Sequence, residues 1–127
     1  KLLLVEDIEI NREIILSLLD DTGLAIDCAG DGLEAVEVFR QRGQEYDLVL
    51  MDVQMPRMDG LEATRHIRAG DGASKQVPII AMTADAFKED VERCLDAGMN
   101  GHVAKPIDMD ELYRLLQRFL GDSPVMA

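Results

Sequence analysis

Short apolar runs alternate with amphipathic stretches along almost the whole chain, and that rhythm leaves few folds open. Leu2 to Val5, Leu48 to Met51 and Ile79 to Met82 are continuous apolar runs, the pattern of strands buried on both faces. Two weaker runs, Leu24 to Ala29 with Asp27 inside it and the short His102 to Ala104, complete the set. Each run is followed by a helical stretch. Ile10, Ile14, Ile15, Leu18 and Leu19 follow the first, and Leu33, Val36 and Phe39 the second. A helix from about Leu61 to Arg68 follows the third, Phe87, Val91 and Leu95 the fourth, and Leu112, Leu115, Leu116 and Phe119 the fifth. Gly23 and Gly98 stand where the first and fourth helices stop, Asp31 where the second needs an N-cap, and Pro56 and Gly60 support a loop from Gln54 to Gly60.

Strands alternating with helices argue for a parallel sheet, because parallel neighbours need a crossover connection and that is usually a helix. The polar interruptions at Asp27 and His102 suit strands at the sheet edges, which predicts the order 2-1-3-4-5. The expected fold is α/β, a flavodoxin-like doubly wound five-stranded parallel sheet with five helices. At 127 residues the chain holds one domain and not two, expected over 1–120 with a loose tail at 121–127. The chain opens at Lys1, already inside an apolar run and without Met, and so reads as a segment of something longer.

A formal net charge of -12 sets a field that repels nucleic-acid phosphates and anionic membrane surfaces, so neither is an expected partner. Cys28 and Cys94 are far apart, which argues against a disulfide framework or a zinc site and for a reducing cytoplasm. No apolar run reaches the roughly 18 to 20 residues that span a bilayer. The domain is expected to be a monomer in isolation.

In a doubly wound sheet the ligand crevice lies beyond the carboxyl ends of the strands, where the strand order reverses. Glu6 and Asp7 end strand one, Asp52 ends strand three, Thr83 ends strand four and Lys105 ends strand five. Three converging carboxylates repel unless a cation sits among them, and a pocket of oxygens that also receives phosphate suits Mg²⁺, with Mn²⁺ as a substitute. Asp52 is then placed to attack phosphorus and form an acyl phosphate, with Thr83 and Lys105 on the other phosphoryl oxygens.

The acidic pair Glu6-Asp7, the stretch Met51-Asp52-Val53-Gln54-Met55-Pro56-Arg57-Met58-Asp59-Gly60, the step Met82-Thr83-Ala84 and the pair Lys105-Pro106 resemble the receiver domain of two-component signalling. The resemblance covers nearly the whole chain and is closest to receivers of hybrid sensor histidine kinases. It implies that Asp52 accepts a phosphoryl group from a phosphohistidine on a histidine kinase or histidine phosphotransfer domain. It implies that Asp7 and Asp52 bind the metal directly, Glu6 through water and Gln54 through its main-chain carbonyl. Thr83 and position 102 would then form the switch, and a cis peptide at Lys105-Pro106 would aim the lysine. The parent would be cytoplasmic, or the cytoplasmic part of a membrane-bound sensor. As an isolated domain it would do no more than phosphorylate itself and slowly lose the group.

Two positions depart from the commonest pattern: the acidic pair is Glu-Asp rather than Asp-Asp, and His102 replaces Tyr or Phe. A histidine there could make the switch pH-sensitive, though plain edge-strand filler is the simpler reading. Gly30-Asp31-Gly32-Leu33-Glu34-Ala35 matches a dinucleotide fingerprint, but it follows the second strand and carries an acid where pyrophosphate would sit. The rival functions are an aspartyl-phosphate phosphatase and a phosphate-independent interaction module. The phosphatase would need a second acid two residues after Asp52, where the chain has Gln54.

Overall fold

The computed structural model describes residues 1–20, 23–42, 45–53, 58–70, 77–83, 88–104 and 107–120. Among them the elements run β1 (Leu2–Val5), α1 (Glu9–Leu19), β2 (Ile26–Ala29), α2 (Gly32–Arg42), β3 (Leu48–Asp52), α3 (Gly60–Arg68), β4 (Ile79–Thr83), α4 (Lys88–Ala97), β5 (Gly101–Ala104) and α5 (Met109–Leu120). The five strands form one parallel sheet in the order β2-β1-β3-β4-β5, as the alternation predicts. The expected tail at 121–127 lies outside the described residues.

Every residue of β1, β3 and β4 is buried, whereas β2 and β5 are only partly so. The pleat divides the core in two. Leu3, Val5, Val49, Met51, Ile79 and Ala81 pack with Ala35, Phe39, Ala63, Ile67 and Cys94 of α2, α3 and α4. Leu2, Leu4, Leu48, Leu50, Ile80, Met82 and Val103 pack with Ile15, Leu19, Leu112 and Leu116 of α1 and α5. Each fully buried leucine or isoleucine contributes roughly 1.5–3 kcal/mol, so the central strands anchor the fold.

Local chemistry sets the helix ends. Asp31 Oδ1 accepts from Glu34 N at 2.9 Å while Glu34 Oε2 accepts from Gly30 N at 2.9 Å, a reciprocal cap on α2. Asp59 Oδ1 accepts from Glu62 N at 2.8 Å to start α3. Gly23 and Gly98 take positive φ (74° and 110°), where a Cβ is disfavoured.

The helix faces differ in part from the periodic reading. Ile10 (64 % exposed), Ile14 (51 %), Leu33 (45 %) and Leu95 (51 %) point outward. Ile15, Leu19 and Phe39 from the same stripes are buried as expected, and Ala35, Cys94 and Ala97 supply further buried positions. Each of those sequences carries more apolar residues than a sheet-facing stripe about 100° wide can cover. Strand β2 starts at Ile26 rather than Leu24, and Asp27 is an edge residue within it rather than an interruption.

Asp27 is held by several neighbours. Tyr46 Oη donates to Asp27 Oδ2 at 2.8 Å, and Lys1 Nζ and Arg42 Nη1 lie 3.3 and 3.5 Å away. The hydroxyl donor above all keeps the Asp27 carboxyl below the usual carboxylate range. Burial, and then the carboxylate beside it, push the Tyr46 phenol from 10.0 up to about 12. A phenol with a higher pKa folded than unfolded keeps its stabilisation below pH 10 and loses it as pH rises toward about 12. Urea midpoints measured across that window should fall in the native chain, and Tyr46→Phe should flatten the fall. An equally steep fall in the Phe variant would count against this tyrosine.

Candidate functional site

The carboxyl ends of β1, β3 and β4 lie side by side, because the register pairs Val5 with Met51, and Asp52 with Met82. Glu6 extends the ladder by one bond, its N–H donating to Ala29 O at 3.1 Å, so its side chain is directed by the sheet rather than by a loop. One carboxylate oxygen from each of Glu6, Asp7 and Asp52 lies within 4.8 Å of the others. Glu6 (0 % exposed) and Asp52 (3 %) are buried, and Asp7 is half-buried. At that spacing two full charges repel by about 3.5 kcal/mol at an effective dielectric near 20. Asp7 Oδ1 is moreover a buried acceptor without a hydrogen-bond donor among the described residues. An orphaned carboxylate oxygen inside an anionic cluster fits a hard divalent cation, and the all-oxygen donor set fits Mg²⁺.

Thr83 ends β4 one residue beyond the register partner of Asp52 and is buried. His102 is half-buried opposite Ala81, so the pleat puts it on the same sheet face as Thr83, on the adjacent strand. Four of the expected site residues, Glu6, Asp7, Asp52 and Thr83, thus come to one edge of the sheet. Gln54, Lys105 and Pro106, with the expected cis peptide, lie outside the described residues.

The backbone after Asp52 is tied down closely. Val53 N donates to Met82 O at 3.1 Å, Gly60 N to Val53 O at 2.9 Å, and the buried Thr64 hydroxyl to Gly60 O at 2.8 Å. A Cβ on Gly60 would stand 2.2 Å from Asp52 O, so only glycine lets α3 start against the acidic residue's own carbonyl. A Cβ on Gly32 would stand 2.4 Å from Met58 O. That glycine admits protein backbone where a dinucleotide fingerprint would admit pyrophosphate.

Sequence reasoning passed over two neighbours of the acidic pair. Asn11 Nδ2 donates to Glu6 Oε1 at 3.2 Å, and Arg12 Nη1 to Glu6 O at 2.7 Å. Their distance of five and six residues from Glu6, in the first turns of a helix that begins just after it, was the available signal.

A doubly wound sheet with an acidic cluster at its order-reversal edge is the architecture of a phosphoryl-accepting signalling module. The chain belongs to the response regulator receiver domain family, whose profile matches residues 2–117. It is 37% identical to probable histidine kinase 1 of Oryza sativa subsp. indica and 43% identical to two-component system protein A of Emericella nidulans, each over 94% of its length. The chain spans only 15% and 17% of those two proteins. Among solved structures it is similar to the receiver domain of a Pseudomonas aeruginosa sensor histidine kinase, crystallised with a magnesium ion coordinated in the active site cleft. That match has 44% identity and a TM-score of 0.86, covering 95% of this chain and 97% of the other. No helix among the described residues is long and apolar enough to cross a membrane.

Proposed function

We propose that this chain is the Mg²⁺-dependent phosphoryl acceptor of a phosphorelay, with Asp52 as the acceptor and a phosphohistidine of a histidine kinase or histidine phosphotransfer domain as the donor. The observation that carries the reading is the cluster of Glu6, Asp7 and Asp52, with one carboxylate oxygen of each within 4.8 Å of the others, in a site where Asp7 Oδ1 is buried without a hydrogen-bond donor among the described residues. Asp7, Asp52 and the Gln54 carbonyl would hold the ion directly and Glu6 through water. When bound, Mg²⁺ would offset the carboxylate repulsion and draw charge from the phosphoryl oxygens.

The chain's own residues account for the rest. An Asp52 carboxylate oxygen attacks phosphorus opposite the donor's imidazole nitrogen. The new P–O bond forms as the P–N bond breaks, and the departing nitrogen keeps the electron pair and is protonated. The Thr83 hydroxyl donates to one phosphoryl oxygen and the Lys105 ammonium pairs with another, which draws both toward the new group. Movement of Thr83 frees room on the sheet face it shares with His102, so the edge at β5 changes state with phosphorylation. The functional unit is residues 1–120, acting as a monomer on the cytoplasmic side, either alone or within a longer regulator or hybrid kinase. With a net charge of -12 it favours basic protein patches over nucleic acid or anionic membrane.

Intact mass after incubation with acetyl phosphate tests this. One phosphoryl adduct should build up with Mg²⁺ and none in EDTA. An adduct that never forms would favour a phosphate-independent interaction module. Steady hydrolysis of a phosphomonoester without an accumulating adduct would favour a phosphatase.

A further inference from the structure

Nothing in phosphoryl transfer itself requires Asn11 or Arg12, yet both turn back from α1 onto the end of β1. Glu6 is held at three of its atoms. Its N–H donates to Ala29 O at 3.1 Å, its carbonyl accepts from Arg12 Nη1 at 2.7 Å, and its Oε1 accepts from Asn11 Nδ2 at 3.2 Å, with Ile8 N a further 3.4 Å donor. Glutamate has one more rotatable bond than aspartate, so without such ties its carboxylate would sweep a wider arc. Complete burial adds to the restraint, because a swing out of position would have to displace packed neighbours.

We propose that Asn11 and Arg12 are positioning residues that pin Glu6 and thereby make the acidic site prefer Mg²⁺ over the larger Ca²⁺. The proposal rests on the reading of Glu6, Asp7 and Asp52 as a cation site. Ca²⁺ takes six to eight oxygens at about 2.3–2.6 Å, often both oxygens of one carboxylate, and rewards ligands that can shift. Mg²⁺ takes six at about 2.0–2.1 Å in a tight octahedron and keeps several waters. With Oε1 accepting from both the Asn11 amide and the Ile8 N–H, both of its lone pairs are engaged, so Glu6 can capture an ion through both oxygens only by giving up one of those bonds. Arg12 fixes the main chain from which the carboxylate hangs, so the whole side chain cannot move toward a larger ion. The clamp therefore penalises Ca²⁺ and leaves a water-mediated contact to Mg²⁺ intact.

The ratio of the two affinities isolates this effect. Both ions are divalent, so removing the Arg12 charge changes both affinities by nearly the same factor and cancels from the ratio. Dissociation constants for Mg²⁺ alone and Ca²⁺ alone are read by NMR titration of backbone amides in the native chain, Asn11→Ala and Arg12→Met. The native chain should prefer Mg²⁺. Asn11→Ala should lower the preference about 10-fold, chiefly by tightening Ca²⁺. Arg12→Met should lower it by a smaller factor while strengthening both ions. A preference unchanged in both folded variants would overturn the proposal and leave the cation site standing. A native chain that binds neither ion would overturn both. Asn11 is half-buried on a helix surface, where alanine is well tolerated. Arg12→Met gives a second, independent measure of the same ratio.

Discussion

Asp52→Asn should abolish acyl-phosphate formation, by more than about 10³-fold in rate, while the domain stays folded. The amide matches the carboxylate in shape, so the packing around this buried position survives, but it offers no anionic oxygen to attack phosphorus. The same change removes one of three mutually repelling charges. Without divalent cation the variant should therefore be more stable than the native chain, by on the order of 1–3 kcal/mol. Mg²⁺ should raise the melting temperature of the native chain, since a ligand bound only by the folded state stabilises it, and raise that of the variant much less. Intact mass with acetyl phosphate and thermal melts with and without Mg²⁺ check both halves. An adduct of undiminished yield in Asp52→Asn would place the acceptor elsewhere, and a less stable metal-free variant would remove the repulsion argument.

Gly60→Ala should cost stability and disable the site together. The added methyl would meet the Asp52 carbonyl at 2.2 Å and Met51 Cγ at 3.0 Å, and the carbonyl belongs to a strand residue that cannot retreat without breaking the sheet. Overpacking of this kind costs about 1–3 kcal/mol or more. Any relief must move either the start of α3 or the main chain that aims Asp52. A displacement near 1 Å there can slow transfer by about 10²-fold. Gly30→Ala is the control, because its Cβ would meet only the ends of flexible side chains, Glu34 Oε2 at 3.2 Å and Arg12 Nη1 at 4.0 Å, so relief costs at most the cap bond from Gly30 N to Glu34. Urea unfolding and phosphorylation rate of the two variants should separate clearly. Equal behaviour would mean that the close approach at Gly60 is easily relaxed.

The strands were readable because a parallel sheet covered on both faces turns a tertiary property, burial, into a local run of apolar residues. Leu2–Val5, Leu48–Asp52 and Ile79–Thr83 appear within one residue of their apolar runs. The edge strands were readable for the opposite reason, since Asp27 and His102 mark where one side stays wet. Asp31 as a cap follows from capping chemistry that acts over three residues. Helix spacing, by contrast, says which residues share a face and not which face meets the sheet. Ile10, Ile14, Leu33 and Leu95 fit the period and yet point outward.

The identities of Glu6, Asp7, Asp52 and Thr83, and their places at strand ends, are written along the chain, so the chemistry available to the site was legible before any coordinates. Their separation was not. Which oxygen of Asp7 lacks a donor, and how near the three carboxylates come to one another, depend on the register between β1 and β3 and on the angle at which α1 leaves the sheet. The pinning of Glu6 by Asn11 and Arg12 belongs to the same class. Hydrophobic pattern and capping act between near neighbours and survive in a one-dimensional reading, while distances between carboxylates arise only once the two halves of the core have closed on the sheet.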